Sequence, residues 1–142
     1  MKIIGLKIIK GKIINNKKGD ILKFLSKNNY YFKKFGEIYF TEIKRQKIKG
    51  WNYHKKNTCL LVVPFGKVKF WFIDGRSKSK TYNNENKIIV GKDNFKIISV
   101  PPKVWFSFKS LAKLSIVANC LNNPHSDTET LKSNKIKKYR IY

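Results

Sequence analysis

The chain has few acidic residues, few cysteines and no long apolar run. Two cysteines, Cys59 and Cys120, are too few for a disulfide scaffold, and no C-x-x-C pair exists. No apolar run approaches the ~20 residues that a membrane-spanning helix needs. The N-terminus has neither a continuous apolar stretch nor a small-residue cleavage site, so it does not resemble a signal peptide. We therefore expect a reduced, cytoplasmic protein without a membrane span.

The shortage of acidic residues leaves a large positive charge. Eight Asp and Glu stand against 32 Lys and Arg, for a formal net charge of +24. Such an excess predicts attraction to polyanions, from nucleic acid or an anionic membrane down to a nucleotide diphosphate. The lysines are spread along the whole chain, however, and Ile, Asn and Lys are enriched together, which is also typical of a biased coding composition. Both explanations stay open from the sequence.

The hydrophobic pattern predicts a single all-β domain. A hydrophobic content of 42% over 142 residues indicates one folded globule rather than a disordered basic chain. Alternating or wholly apolar runs separated by turn residues predict strands at 3–9, 12–15, 21–25, 36–44, 48–54, 59–64, 67–73, 87–90, 95–100, 104–109 and 113–119. So many short strands favour an antiparallel barrel, with its core at about 10–121. In the tail, 122–142, we predict an exposed turn around His125 and a short helix over 128–138.

The residues with the clearest chemistry lie in the predicted strand 48–54. Because strand side chains alternate between faces, Asn52 and His54 point the same way, while Trp51 and Tyr53 point the other way. If the shared face is the interior of a barrel, both side chains reach a cavity. The pKa of an ordinary His lies near neutrality, which suits proton transfer. Alternatively, His54 is only a lining residue that hydrogen-bonds Asn52.

The spacing after Asn52 resembles the first metal-binding motif of cupin barrels. Four residues separate His54 from Cys59, and six more separate Cys59 from Gly66. In that motif two His and a Glu bind a metal, and here Asn52 and Cys59 stand at the first His and the Glu. The His of the second cupin motif falls on Phe106. Because imidazole and carboxylate are the usual donors, we predict a cupin barrel without a metal or other cofactor.

Several segments together resemble the short members of the dTDP-4-dehydrorhamnose 3,5-epimerase family. These segments are 36–40, 49–51, 54–56, 66–69, 74–76, 100–111, 117–120 and 124–125. The resemblance covers about residues 10 to 130. It implies a metal-independent cupin jelly roll that forms a strand-exchanged homodimer. It also implies action on deoxynucleotide-linked 4-keto sugars for surface polysaccharides.

The resemblance also assigns catalytic positions, which this chain keeps only in part. The family base, a His in an R-G-x-H sequence, falls on Asn52, and the Arg falls on Lys49. The family's Tyr acid falls on Cys120, a further active-site His falls on Phe106, and the dyad Asp near the C-terminus has no counterpart. The nucleotide-sugar 3,4-ketoisomerases carry R-G-x-H-A-H-K, to which K-G-W-N-Y-H-K is similar. We therefore predict His54 as the base, assisted by Asn52 and Lys49.

The remaining candidates are predicted to bind substrate. Arg76 is a cation for a diphosphate, and Trp105 offers an aromatic face near the barrel rim for a nucleotide base. The family positions of Cys59, Phe106 and Cys120 place these three side chains at the sugar, although Cys59 on an apolar strand also suits the core.

Three function classes follow from these residues. The first is a nucleotide-sugar epimerase or isomerase, and the second is a non-catalytic cupin that binds a nucleotide sugar or a partner protein. The third, which the cupin spacing disfavours, is a basic β-barrel that binds single-stranded nucleic acid through lysines and exposed aromatic side chains.

Overall fold

The computed structural model describes residues 2–133, which form twelve β-strands and no helix. The strands are β1 (Lys7–Lys10), β2 (Lys12–Ile14), β3 (Ile21–Lys23), β4 (Glu37–Lys44), β5 (Ile48–His54), β6 (Cys59–Phe65), β7 (Lys67–Asp74), β8 (Glu85–Gly91), β9 (Lys96–Val100), β10 (Val104–Ser110), β11 (Leu114–Leu121) and β12 (Thr130–Lys132). Residues 2–133 therefore contain no helix long and apolar enough to cross a membrane.

The strands form two five-stranded sheets and one two-stranded ribbon. The first sheet has the order β1-β9-β6-β11-β4, the second sheet has the order β12-β5-β10-β7-β8, and the ribbon pairs β2 with β3. Every pairing within them is antiparallel. Two facing antiparallel sheets with these crossovers make a jelly roll. The all-β, cupin-type barrel predicted from the sequence is confirmed.

The core between the two sheets comes from strict alternation along the strands. In β7, Val68, Phe70 and Phe72 are each 0% exposed, and the ring of Phe70 lies 5.5 Å from that of Phe108 in β10. Burying each such side chain contributes about 1.5–3 kcal/mol to folding. The facing side chains of the first sheet include Leu61, Val63, Val117 and Leu121. This apolar packing holds the two sheets around an interior.

Both sheets also cover apolar side chains on their outer faces. Outside the first sheet, the ribbon and the chain after it pack on the side chains of Leu60, Val62, Ala118 and Cys120. Outside the second sheet, Trp51, Trp71 and Ile73 are buried together with Trp105 packed against them. Neighbouring residues along a strand therefore belong to different apolar clusters, one between the two sheets and the other on an outer face.

The sequence was right about the strands and wrong about the tail. All eleven predicted strands overlap β1 to β11. The helix predicted to begin at residue 128 is wrong within the described residues, because Thr130–Lys132 form β12 instead. This strand pairs with the edge of β5, with Thr130 opposite His54 and Lys132 opposite Asn52. Backbone pairing with an open sheet edge outweighs the weak helix preference of so short a segment. Residues 134–138 of the predicted helix lie outside the described part of the chain.

Candidate active site

A cavity of about 540 Å³ lies between the two sheets. The first sheet lines it with Glu37, Tyr39, Thr41, Leu61, Val117 and Asn119. The second sheet lines it with Lys49, Gly50, Asn52, His54, Phe106, Phe108, Thr130 and Lys132, and His125 from the preceding loop completes the described wall. This volume lies in the range of small-molecule sites, which is roughly 300–1,000 Å³.

His54 forms a buried pair with Glu129. The residue is 4% exposed, and its Nδ1 lies 2.8 Å from Glu129 Oε2. The His54 ring also stacks on Phe106, with 6.2 Å between centroids and 12° between the planes. The carboxylate and the phenyl ring together hold the imidazole at one angle against the cavity.

Glu129 is itself fixed by the backbone that follows β5. The backbone N–H groups of Lys56 and Asn57 donate to Glu129 Oε1 at 2.9 and 2.8 Å. Burial alone would raise the pKa of Glu129, but hydrogen bonds from Asn57, Lys56 and His54 outweigh it and lower the pKa below its ordinary value. Glu129 is therefore a carboxylate that only accepts hydrogen bonds.

The charge state of Glu129 determines the tautomer of His54. Because a carboxylate accepts, Nδ1 of His54 must carry the proton that is shared with Glu129. Nε2 is then the nitrogen that carries the lone pair whenever the ring is neutral, and the atom that could act as a base. The hydrogen bond to Asn52 that the sequence suggested for His54 is replaced by the one to Glu129.

A β-bulge brings Lys49 to the same cavity as Asn52. Strict alternation would place these two side chains on opposite faces of β5. Phe106 pairs with Asn52 and Phe108 with Lys49, so the β5 side has one more residue than the β10 side at this point. Gly50 within the bulge has φ +108°, and a Cβ there would lie 2.7 Å from the carbonyl oxygen of Phe106. The glycine permits the approach that turns Lys49 inward.

Tyr39 and Asn119 face the cavity from the opposite sheet. Asn119 Nδ2 donates to the Tyr39 hydroxyl at 2.8 Å. Burial raises the pKa of Tyr39 to about 12, so the phenol is neutral at physiological pH. Both side chains lie on walls formed by β4 and β11, across from the strand that carries His54.

The two cysteines lie outside the cavity lining. Cys59 is 1% exposed in the core between the sheets, and burial raises the pKa of its thiol to about 12. Cys120 belongs to the apolar cluster on the outer face of the first sheet. Neither placement brings a thiol to a ligand in the cavity.

Two other predicted binding residues also lie elsewhere. Arg76 pairs with the buried carboxylate of Asp74, 2.7 Å from Nε to Oδ1, and donates to the carbonyl of Ile4 at 2.6 Å. Trp105 lies on the outer face of the second sheet, with its ring 4.7 Å from that of Tyr53. Of the eight residues predicted for the site, the cavity brings together Lys49, Asn52, His54 and Phe106.

Glu129, Tyr39 and His125 were missed by the sequence analysis. Glu129 lies 75 residues from His54 in a segment predicted as helix, so no local pattern pointed to it. Tyr39 did carry a signal, since it alternates with Glu37 and Thr41 on one face of β4. His125 lines the cavity mouth, where its backbone N–H donates to Glu37 at 2.8 Å.

Residues 2–133 contain no group of three or more His, Cys, Asp or Glu side chains that could hold a metal ion. The metal-free site stays a prediction.

Solved structures place the chain among known proteins. No protein-family model and no curated protein matches the sequence. The chain is 31% identical to a dTDP sugar isomerase from Desulfovibrio desulfuricans, with a TM-score of 0.91 over 95% of this chain and 87% of the other. A dTDP-6-deoxy-D-glucose-3,5-epimerase from Legionella pneumophila, solved with dTDP-4-keto-L-rhamnose, is 19% identical, with a TM-score of 0.87 over 97% and 77%. A 3'-monoepimerase from Streptomyces bikiniensis, solved with dTDP-quinovose, is 11% identical, with a TM-score of 0.88 over 97% and 74%.

Proposed function

Because this chain belongs to the dTDP-4-dehydrorhamnose 3,5-epimerase family, we propose that it is a nucleotide-sugar epimerase or isomerase. Its substrate is a dTDP-4-keto-6-deoxy sugar, and its reaction moves a proton at a carbon beside the ketone. The observation that carries this proposal is the buried pair of His54 and Glu129 at the cavity wall, 2.8 Å apart.

His54 is the base in this reaction. A proton beside a ketone leaves as the carbonyl becomes an enolate, which requires a nearby acceptor for the proton. Nε2 of His54 takes the proton, and the ring becomes an imidazolium whose charge is stabilised by Glu129. Glu129 is a positioning residue, because it holds the tautomer and the ring angle through Nδ1 and is not among the residues that line the cavity.

Tyr39 is the acid. Its pKa of about 12 keeps the phenol protonated, so it can donate to the enolate oxygen or return a proton from the side opposite His54. This role substitutes for the family acid, since the corresponding Cys120 lies on the outer face of the first sheet. Lys49 and Lys132 line the cavity and supply positive charge for the diphosphate of the substrate.

The proposal includes a homodimer built on the edge of the first sheet. Within the described residues, β4 pairs only with β11 and leaves its other edge open. Phe40 and Ile38 on this edge are 69% and 42% exposed. A long open edge with apolar side chains is a template for a strand from a second chain. Pairing there would satisfy the edge and cover the apolar side chains.

We place the activity in the synthesis of surface polysaccharides, in the cytoplasm. The two cysteines of the chain are free and buried, in keeping with a reducing compartment.

Deuterium exchange tests the reaction directly. The protein is incubated in deuterated water with dTDP-4-keto-6-deoxyglucose, and the sugar protons are followed by NMR. We expect deuterium to enter at C3 or C5, and His54→Gln to abolish this entry. Lys92→Gln is the control, since this side chain is 61% exposed in the loop after β8 and does not line the cavity, so the variant should keep the exchange. Ligand-induced shifts in the wild-type protein without any exchange would refute catalysis on this sugar.

The alternative is a non-catalytic cupin that binds a nucleotide sugar. This alternative is favoured by Asn52 and Cys120, which stand at the positions of the family base and acid. It predicts that the sugar binds without deuterium exchange. Single-stranded nucleic acid is the third alternative. Phe40 and Phe65 are 69% and 57% exposed and could stack on bases, but the buried pair of His54 and Glu129 beside a cavity of about 540 Å³ favours a small ligand instead.

A further inference from the structure

One polar atom in the cavity wall lacks a partner. Within residues 2–133, Asn119 Oδ1 is the only buried side-chain oxygen or nitrogen without a hydrogen bond. Asn119 is 3% exposed and shares its face of β11 with Val117 and Leu121. The thiol of Cys59 interacts with the Asn119 amide, but Oδ1 itself has no hydrogen-bond partner. Because a buried unpaired acceptor is costly, its place in a cavity wall indicates a ligand that donates to it.

The Nδ2 group of Asn119 determines the hydrogen-bonding role of the neighbouring Tyr39 hydroxyl. Asn119 Nδ2 donates to the Tyr39 oxygen, so the phenol accepts there and its own O–H remains available to a ligand. Tyr39 and Asn119 therefore offer one donor and one acceptor next to each other. The complement of this pair is a carbonyl oxygen with a hydroxyl group on the adjacent carbon.

We propose that Asn119 determines specificity by accepting a hydrogen bond from the hydroxyl at C3, next to the C4 ketone that Tyr39 contacts. This inference rests on the proposed function and adds to it the hydroxyl that the cavity requires. A site built to hydrogen-bond a substrate hydroxyl discriminates strongly against an analogue without it, because the protein atom is then left unpaired. A sugar that lacks the C3 hydroxyl should therefore bind weakly.

A ligand-by-protein mutant cycle tests this inference. All proteins carry His54→Gln to prevent turnover, and calorimetry measures the Kd of dTDP-4-keto-6-deoxyglucose and of its 3-deoxy and 2-deoxy analogues. With Asn119 present, we expect loss of the C3 hydroxyl to weaken binding at least ~10-fold. With Asn119→Ala, the same loss should weaken binding by less than ~3-fold, because the acceptor is gone. The change in Kd on removal of the C2 hydroxyl should be the same with and without Asn119.

Asn119→Asp keeps an acceptor at this position and should restore discrimination between sugars with and without the C3 hydroxyl. A purely structural role of Asn119 would not explain such a restoration. Thermal unfolding checks that each variant is folded before its binding is interpreted. Equal C3 discrimination with and without Asn119, or coupling to the C2 hydroxyl instead, would overturn the inference while leaving the proposed function intact. Failure of every dTDP sugar to bind would overturn the proposed function itself.

Discussion

The pairing of His54 with Glu129 makes Glu129→Gln the sharpest single perturbation. Glu129 Oε1 accepts from two backbone N–H groups, so the carbonyl oxygen of a glutamine must take that position. Its NH₂ group then faces His54 Nδ1 across the 2.8 Å contact. Nδ1 has to become the acceptor, and the ring proton moves to Nε2, where the base is needed. The variant is therefore expected to hold the wrong tautomer with nearly unchanged geometry.

The expected magnitude follows from the burial of the pair. The side chains of His54 and Glu129 are 5% and 11% exposed, so solvent screens their interaction far less than it screens a surface ion pair. The same carboxylate-to-amide change behind a catalytic His costs about 10⁴-fold in the Ser-His-Asp hydrolases. We expect the initial rate of deuterium entry to fall by about 10²–10⁴-fold, which corresponds to a barrier higher by roughly 3–5 kcal/mol.

The assay for Glu129→Gln is the initial rate of deuterium entry into dTDP-4-keto-6-deoxyglucose, with Kd measured in parallel. Asp127→Asn is the matched control, because it makes the same chemical change at a side chain that is fully exposed beside His125. Substrate affinity should stay within ~3-fold, since Glu129 is not among the residues that line the cavity. A Glu129→Gln protein that exchanges within ~3-fold of the wild-type rate would refute the role of the pair.

Three further predictions concern the acid, the stability and the assembly. Tyr39→Phe should slow deuterium exchange by about 10²-fold or more, because it removes the phenolic proton but not the ring, and unchanged NMR kinetics would contradict its role as acid. Burial opposes the charge of Asp74, but hydrogen bonds from Arg76, Thr81 and Ser79 outweigh this and hold its pKa below the ordinary 3.8. That carboxylate therefore stabilises the fold above pH 3.8, and the stabilisation is lost as pH falls through the lowered pKa. Urea unfolding should show Asp74→Asn to be less stable by about 1–3 kcal/mol at pH 7 and less sensitive to acid, whereas parallel pH curves would refute this. Phe40→Asp should convert a wild-type dimer to monomer in sedimentation velocity, because it puts a charge on the open edge of β4, and a variant that remains dimeric would argue against that interface.

The sequence allowed the strands and one wall of the cavity to be predicted because both follow from local alternation. Asn52 and His54 line the same cavity, as their spacing in β5 required. Alternation could also have corrected the assignment of Cys120. Once Val117 and Leu121 are taken as interior positions of β11, Cys120 must face outward.

What the sequence could not supply were contacts between distant segments. The bulge that turns Lys49 inward depends on how β5 meets β10, and the alternation of β5 alone points the other way. The partner of His54 comes from a segment 75 residues later, where a short polar stretch suits a helix and an edge strand about equally well. Its strand conformation depends on the open edge of β5, which exists only in the folded sheet.

By itself, then, the sequence determined a β-barrel with an imidazole facing its interior, because the period of apolar residues is a local property of the chain. Only the tertiary structure decided that Glu129 pairs with Nδ1 of His54, and that Tyr39 and Asn119 stand opposite with a donor and an unpaired acceptor. Those relationships depend on how the two sheets face each other, and this depends on the packing of the whole chain.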